Sequence, residues 1–229
     1  MSGVLALVGG DEFSTECDPI DKYLLSRARS STARVLIVPT AAAFENPGKA
    51  ARNGVAHFRR LGAKAEALMV LNKADANDAP KVAAITGADL LYLTGGDPSH
   101  LLSVLQGSRL LEDLKRWLLK GGVLAGSSAG AMVMAEWMGL TRAGGPVEAL
   151  GLVKGVAVLP HHERAEPKRV AKELAHVTSP TVTALGIDSA TGCVGEDGAW
   201  RVLGEGRAVA YREGRWRMVM AGEMLRLEF

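Results

Sequence analysis

This 229-residue chain predicts an α/β fold with a mainly parallel sheet, on three observations. Short apolar runs end in Gly, Pro or other small residues. Segments with apolar residues at helical spacing separate them. From Trp200 onward the pattern changes to apolar and polar residues alternating around Gly-containing turns. Strands covered on both faces read as continuous apolar runs, and their alternation with amphipathic helices implies parallel pairing through crossover helices.

The expected strands are VLALVGG (4–10), RVLIVPT (34–40), AEALMVL (65–71), DLLYLTGG (89–96) and GVLAGSS (122–128). The segment 46–61 carries Ala50, Val55, Phe58 and Leu61 on one helical face and stops at Gly62, a usual residue beyond a helix C-terminus. The segment 101–119 reads as another helix, ending before Gly121 and Gly122. The alternating C-terminal stretch predicts β-hairpins closing the domain. No repeat, low-complexity run or composition break divides the chain, so one α/β domain over residues 1–229 is expected.

Charge and composition narrow the function. Lys and Arg total 27 against 25 Asp and Glu, a net charge of +2, which supplies no electrostatic case for nucleic acid or a membrane surface. A small molecule or short peptide fits better. The N-terminal apolar run lacks a basic flank, and no run of about 18 apolar residues occurs, so a cytoplasmic location is expected. Cys17 and Cys193 form no CxxC or Cys/His cluster, which predicts buried thiols and neither a metal site nor a disulfide framework. GGDEF and GGDP complete no dinucleotide fingerprint, and GSSAGAM lacks the Lys of a phosphate loop, so no cofactor is expected.

Ligands of open α/β sheets bind beyond the carboxyl ends of the strands, which places Gly9 and Gly10, Thr40, residues 94–99 and residues 126–129 on one rim. There, Gly126, Ser128 and Gly130 make G-x-S-x-G between an expected strand and an expected helix over 129–137. That is the setting of a nucleophile elbow, with Ser128 at its apex and Ser127 on the strand side. The Ala129 N–H at the helix start would donate to an oxyanion, with a second donor from the Gly95–Gly96 loop. The same glycines also suit close helix–sheet packing without chemistry, so the motif alone leaves both readings open. Of the five histidines, His57 and His176 fall on helices and His100 opens one as cap or rim residue. His161 and His162 follow the apolar run LVKGVAVLP at a strand end, where a base belongs. With serine before histidine and no histidine near the C-terminus, the α/β-hydrolase chain order is disfavoured.

The blocks LALVGGDEF, VLIVPTAA, FRRLGAKAEALMVLNKADAND, LLYLTGGDPSHLL, GVLAGSSAGAMVM, EALGLVKGVAVLPHHER and LGIDSATG, in that order, resemble the dipeptidase E and cyanophycinase family of serine peptidases. The resemblance implies a three-layer sandwich like that of class I glutamine amidotransferases, a relative of the flavodoxin-like fold. It implies Ser128 as nucleophile, His161 as base, and the N–H groups of Gly96 and Ala129 as oxyanion hole. One block departs from the family pattern: where members usually carry Glu after the Asp of GIDSATG, this chain has Ser189. Three outcomes follow. Ser189 orients His161; Asp188 does so through a local bulge, since neighbours on an extended segment face opposite ways; or the triad is lost and the protein only binds peptides.

The resemblance further implies short peptides with an acidic group or an amide made from one. Arg164, nearest to His161, is the leading candidate for a substrate carboxylate, ahead of Lys168 and Arg169. A C-terminal carboxylate held there would give carboxypeptidase-like trimming, in place of dipeptidase E-like cleavage of Asp-X. Asp97 is read as a helix cap or a ligand for a substrate amine. Ser127 and His162 complete the expected substrate-binding set, and the C-terminal hairpins offer a homodimer surface.

Overall fold

The apolar runs of the first 127 residues form five parallel strands, and the glycines and prolines that punctuate them mark where the chain leaves the sheet. The computed structural model describes residues 3–140, 145–176, 179, 181–196 and 198–227. Strands β1 (Val4–Val8), β2 (Arg34–Val38), β3 (Lys64–Ala67), β4 (Leu90–Leu93) and β5 (Val123–Ser127) lie in the order β1-β5-β4-β2-β3. Between them run α1 (Asp18–Ser26), α2 (Pro47–Arg60), α3 (Ala79–Ala84), α4 (Pro98–Leu105) and α5 (Arg109–Leu119). Helix α2 begins where its sequence says it should: the Asn46 side chain accepts the Lys49 N–H at 2.9 Å, and Pro47 opens the first turn.

The helix expected over 101–119 is two helices. Gly107 takes φ +66°, and the Ser108 hydroxyl accepts the Leu111 N–H at 3.1 Å, capping α5 as a new start. The helix expected to run to Trp137 also stops early. Helix α6 covers Ala129–Met134, after which Ala135 turns extended (φ −65°, ψ 176°) and β6 (Ala135–Met138) begins.

That early turn opens a second sheet, which the sequence reading did not separate from the first. Strands β7 (Val147–Glu148), β8 (Val153–Leu159), helix α7 (Pro167–Leu174), β9 (Thr183–Ile187), β10 (Thr191–Glu196), β11 (Ala199–Gly204), β12 (Arg207–Arg212), β13 (Arg215–Met220) and β14 (Met224–Leu225) follow. Strands β10, β11 and β14 extend the first sheet antiparallel from β1, giving eight strands in the order β14-β11-β10-β1-β5-β4-β2-β3. The remaining strands form a six-stranded sheet, β13-β12-β9-β8-β6-β7, with a parallel centre. Of the stretch from Trp200 predicted to form hairpins, β12 and β13 make one in the second sheet, while β11 joins the first sheet, pairing with β14 and with β10, which precedes that stretch. The β12–β13 turn places Glu213 and Gly214 at φ 51° and 73°, the left-handed pair that two-residue hairpins favour.

The core has three parts. One face of the large sheet (Ala6, Val35, Ile37, Tyr92) packs on Ile20 and Leu24 of α1 and Phe58 of α2. Its other face (Leu5, Leu7, Leu36, Leu124) joins Leu101 of α4, Leu114 of α5, Met134 of α6 and Val156, Leu185 and Ile187 of the second sheet. The far face of the second sheet (Ala157, Ala184, Val209, Tyr211) is covered by Val170 and Leu174 of α7. The sheets thus share one core and bring the carboxyl ends of β1, β4, β5, β8 and β9 toward one rim.

Candidate active site

Ser128 stands at the turn from β5 into α6 with φ 47° and ψ −106°, a combination L side chains avoid. The flanking glycines make the turn possible. A Cβ on Gly126 would lie 2.6 Å from the Gly130 carbonyl carbon, and one on Gly130 would lie 2.5 Å from the Leu93 carbonyl oxygen. The Ser128 N–H donates to Val8 O at 2.9 Å, tying the turn to β1. The glycines therefore serve close packing, and that packing presents Ser128, half-buried, at the rim.

His161 follows β8 across the seam between the sheets, also at positive φ (52°). Its N–H donates to Gly9 O at 3.0 Å, and its ring occupies the space a side chain on Gly10 would need: a Cβ there would lie 2.1 Å from Cε1. His161 Nε2 is 3.2 Å from Ser128 Oγ, and Nδ1 is 3.1 Å from Ser189 Oγ. Ser189 comes from the short crossing between β9 and β10, anchored by the Ala190 N–H on Gly10 O at 3.1 Å. Three side chains distant in sequence thus form one line, Ser128–His161–Ser189.

Asp188 is turned the other way. Its Oδ2 accepts the Arg207 backbone N–H at 3.2 Å and lies 3.6 Å from Arg207 Nε, while Oδ1 is buried without a hydrogen-bond partner among the described residues. Burial pushes its carboxyl above the usual range, against the pull of Arg207. There is no bulge that carries it to His161, whose Nδ1 faces Ser189.

Of the two expected oxyanion donors, neither the Gly96 N–H nor the Ala129 N–H is engaged by another protein group among the described residues. The N–H groups flanking Gly96 are both spent: Gly95 donates to Glu12 Oε1 at 2.7 Å and Asp97 to Ala41 O at 2.8 Å. Glu12 was not among the sequence candidates. Its second oxygen accepts Ser127 Oγ–H at 2.8 Å, so Ser127, fully buried, faces Glu12 rather than the rim. GGDEF does place two acidic residues just past a rim glycine pair, but it does not single out Glu12 from Asp11.

Asp97 caps α4, its Oδ1 accepting the N–H groups of Ser99 (2.8 Å) and His100 (3.2 Å). His162 lies away from the rim, 5% exposed, with Nε2 2.6 Å from Tyr211 Oη. Burial, then the nearby Arg207 charge, lowers its pKa to about 4, so its ring is neutral. Arg164 is exposed and has no ion-pair partner among the described residues. Glu163, between these two, was also missed, and its Oε2 accepts the Ser189 N–H at 3.1 Å. His100 lies at the rim as expected, its ring edge-on to Phe44 at 4.5 Å and Nε2 2.9 Å from Leu71 O.

Cys17 and Cys193 are buried; burial pushes the first thiol up to about 12 and raises the second as well, so both are poor nucleophiles. Among the described residues, no group of three His, Cys, Asp or Glu side chains is placed to hold a metal ion, and no helix is long and apolar enough to cross a membrane.

The family model for peptidase family S51 matches residues 5–202. The chain is 29% identical over 220 residues to the cyanophycinase of Synechococcus elongatus, covering 89% of this chain and 66% of that protein, so it spans just under two thirds of that relative's length. It is 30% identical over 216 residues to the cyanophycinase of Nostoc sp. (strain PCC 7120 / SAG 25.82 / UTEX 2576), covering 87% of this chain and 70% of that one. The crystal structure of a peptidase from an acI-B1 Actinobacterium matches with a TM-score of 0.86 and 29% identity, covering 98% of this chain and 97% of that one. With a family match from the first strand to the eleventh, and an elbow serine in hydrogen-bond reach of a histidine, the chain belongs to peptidase family S51 and is classed with the serine-type peptidases.

Proposed function

We propose that the protein hydrolyses short peptides through an acyl-enzyme on Ser128, with His161 as base and Ser189 as the third member. The carrying observation is the continuous line from Ser128 Oγ to His161 Nε2, at 3.2 Å, and from His161 Nδ1 to Ser189 Oγ, at 3.1 Å. His161 takes the Ser128 proton as Oγ attacks the scissile carbonyl, and returns it to the leaving amine. Water then repeats the sequence on the ester. The Gly96 and Ala129 N–H groups, which no other protein group engages among the described residues, receive the charge that develops on the carbonyl oxygen.

A hydroxyl as third member holds the imidazole in register but stabilises imidazolium less than a carboxylate, so turnover is slow relative to a Ser-His-acid enzyme. Arg164 supports recognition of a peptide carboxylate, being exposed and without an ion-pair partner among the described residues, three residues past His161. Carboxypeptidase-like trimming and Asp-X dipeptide cleavage both use such a group, at opposite ends of the substrate.

The experiment is hydrolysis of a peptide panel by wild type, Ser128→Ala and Ser189→Ala, read by mass spectrometry, with Asp-X dipeptides and longer peptides bearing free or amidated C-termini. Cleavage by wild type, loss in Ser128→Ala and phosphonate labelling of Ser128 are expected. Undiminished turnover in Ser128→Ala sinks the proposal, and peptide binding without cleavage by wild type replaces it with a binding protein.

A further inference from the structure

The line Ser128–His161–Ser189 works in only one sense of its hydrogen bonds. For His161 Nε2 to accept the Ser128 proton, the ring must carry its own proton on Nδ1 and donate it to Ser189 Oγ. A serine hydroxyl, unlike a carboxylate, also carries a proton. If Ser189 turns that proton toward Nδ1, the ring is driven to the Nε2–H form, which cannot act as base. Something must hold the Ser189 proton away from His161.

The structure supplies a carboxylate at that place. Glu163 sits two residues past His161, on the same loop, and its Oε2 accepts the Ser189 backbone N–H at 3.1 Å. The Glu163 carboxyl is held below its usual range by its own backbone N–H first, then by the N–H and hydroxyl of Ser189 and the adjacent His161. It is therefore a carboxylate, an acceptor only, at neutral pH. The other charged groups on segments packed against the imidazole are differently placed. Asp188 is committed to Arg207, and Glu12 to Gly95 and Ser127. Asp11 lies on the loop after β1, and Arg164 is exposed.

We infer that Glu163 is a positioning residue for the base: it takes the proton-bearing side of the Ser189 hydroxyl, so that Ser189 turns a lone pair to His161 Nδ1. This rests on the Ser-His-Ser reading above and adds a fourth member to it. No proton moves to Glu163 during the reaction. The Ser128 proton goes to His161 Nε2 and then to the leaving amine, while the Glu163 charge, relayed through Ser189, favours the imidazolium that forms between those steps.

The test uses Glu163→Gln, which keeps the size and removes the charge and one acceptor, with two readouts. The first is imidazole ¹⁵N NMR of the full-length protein, which reports the His161 tautomer and titration whether or not a substrate is known. Wild type should show the Nδ1–H form; Glu163→Gln should lose it in part and titrate at lower pH. The second is kinetics on a peptide that wild type cleaves. Glu163→Gln should lower kcat about tenfold with KM unchanged and move the acidic limb of kcat/KM to lower pH. In a Ser189→Ala background the same substitution should change kcat less than about twofold, since the relay is already cut. An unchanged tautomer and titration in Glu163→Gln overturns the inference. So does an equal loss of kcat with and without Ser189, which a merely structural role would give. Failure of the peptidase reading shows separately, as wild type that neither cleaves nor labels at Ser128.

Discussion

Ser127 and Glu12, 115 residues apart in sequence, share a 2.8 Å hydrogen bond beside the nucleophile, and the other Glu12 oxygen holds the Gly95 N–H at 2.7 Å. One carboxylate thus clamps the residue before Ser128 to the residue before Gly96. Glu12→Ala should release the Gly96 loop and lower kcat by about 10- to 100-fold, below the loss typical of deleting an oxyanion donor outright. KM should stay within about threefold, because no substrate group is removed. Steady-state kinetics on a cleaved peptide decide it, and a loss confined to KM would recast Glu12 as a substrate ligand.

Asp188 and Ser189 are adjacent but face different partners, Arg207 and His161. Asp188→Asn should therefore leave kcat within about threefold of wild type, while Ser189→Ala lowers it by about tenfold or more. The reverse order would place Asp188 in the catalytic line during turnover.

The Ser128 backbone, at φ 47° and ψ −106°, is near the mirror image of an ordinary extended conformation, which glycine adopts as readily as its counterpart. Both Ser128→Gly and Ser128→Ala remove the nucleophile. Ser128→Gly should nevertheless be the more stable by about 1 kcal/mol in urea denaturation, since it alone relieves the strain. Greater stability of the alanine variant would show that the turn stores none.

His162 is buried against Tyr211 with its pKa lowered to about 4. Its ordinary value is about 6.5. Between these values the unfolded chain binds a proton that the folded protein refuses. The His162 contribution is thus fully present above pH 6.5 and is lost as pH falls toward 4, by an amount on the order of 1–3 kcal/mol. Thermal unfolding of wild type and His162→Gln across this range should converge at acid pH. A constant gap between the two curves would deny the linkage.

The strand runs, the elbow and the two histidines after LVKGVAVLP were readable because each carries a local mark: continuous apolar residues, glycines around a serine, a strand end. What escaped was settled by contacts between distant segments. Glu12 acts on residues 83 and 115 positions away, and no local pattern distinguishes it from Asp11. Ser127 looked available beside Ser128 until its hydroxyl met Glu12. His162 and His161 share a strand end, but the chain turns one outward and the other under Gly186, where a Cβ would lie 2.4 Å from the His162 ring. The second sheet escaped for a related reason: β6 begins within a run, AGAMVMAEWM, that reads equally well as one helix.

The division of the site between the sheets has one more consequence. Ser128 is carried by a strand of the eight-stranded sheet, while His161 and Ser189 follow strands of the six-stranded one; the Gly9 and Gly10 carbonyls pin the second group to the first through the His161 and Ala190 N–H groups. The 3.2 Å gap between nucleophile and base is therefore a gauge of how the two halves are seated. A slip too small to melt either sheet would already open it. On warming, activity should fade ahead of circular dichroism, as a hinge loosens before the leaves of a door warp.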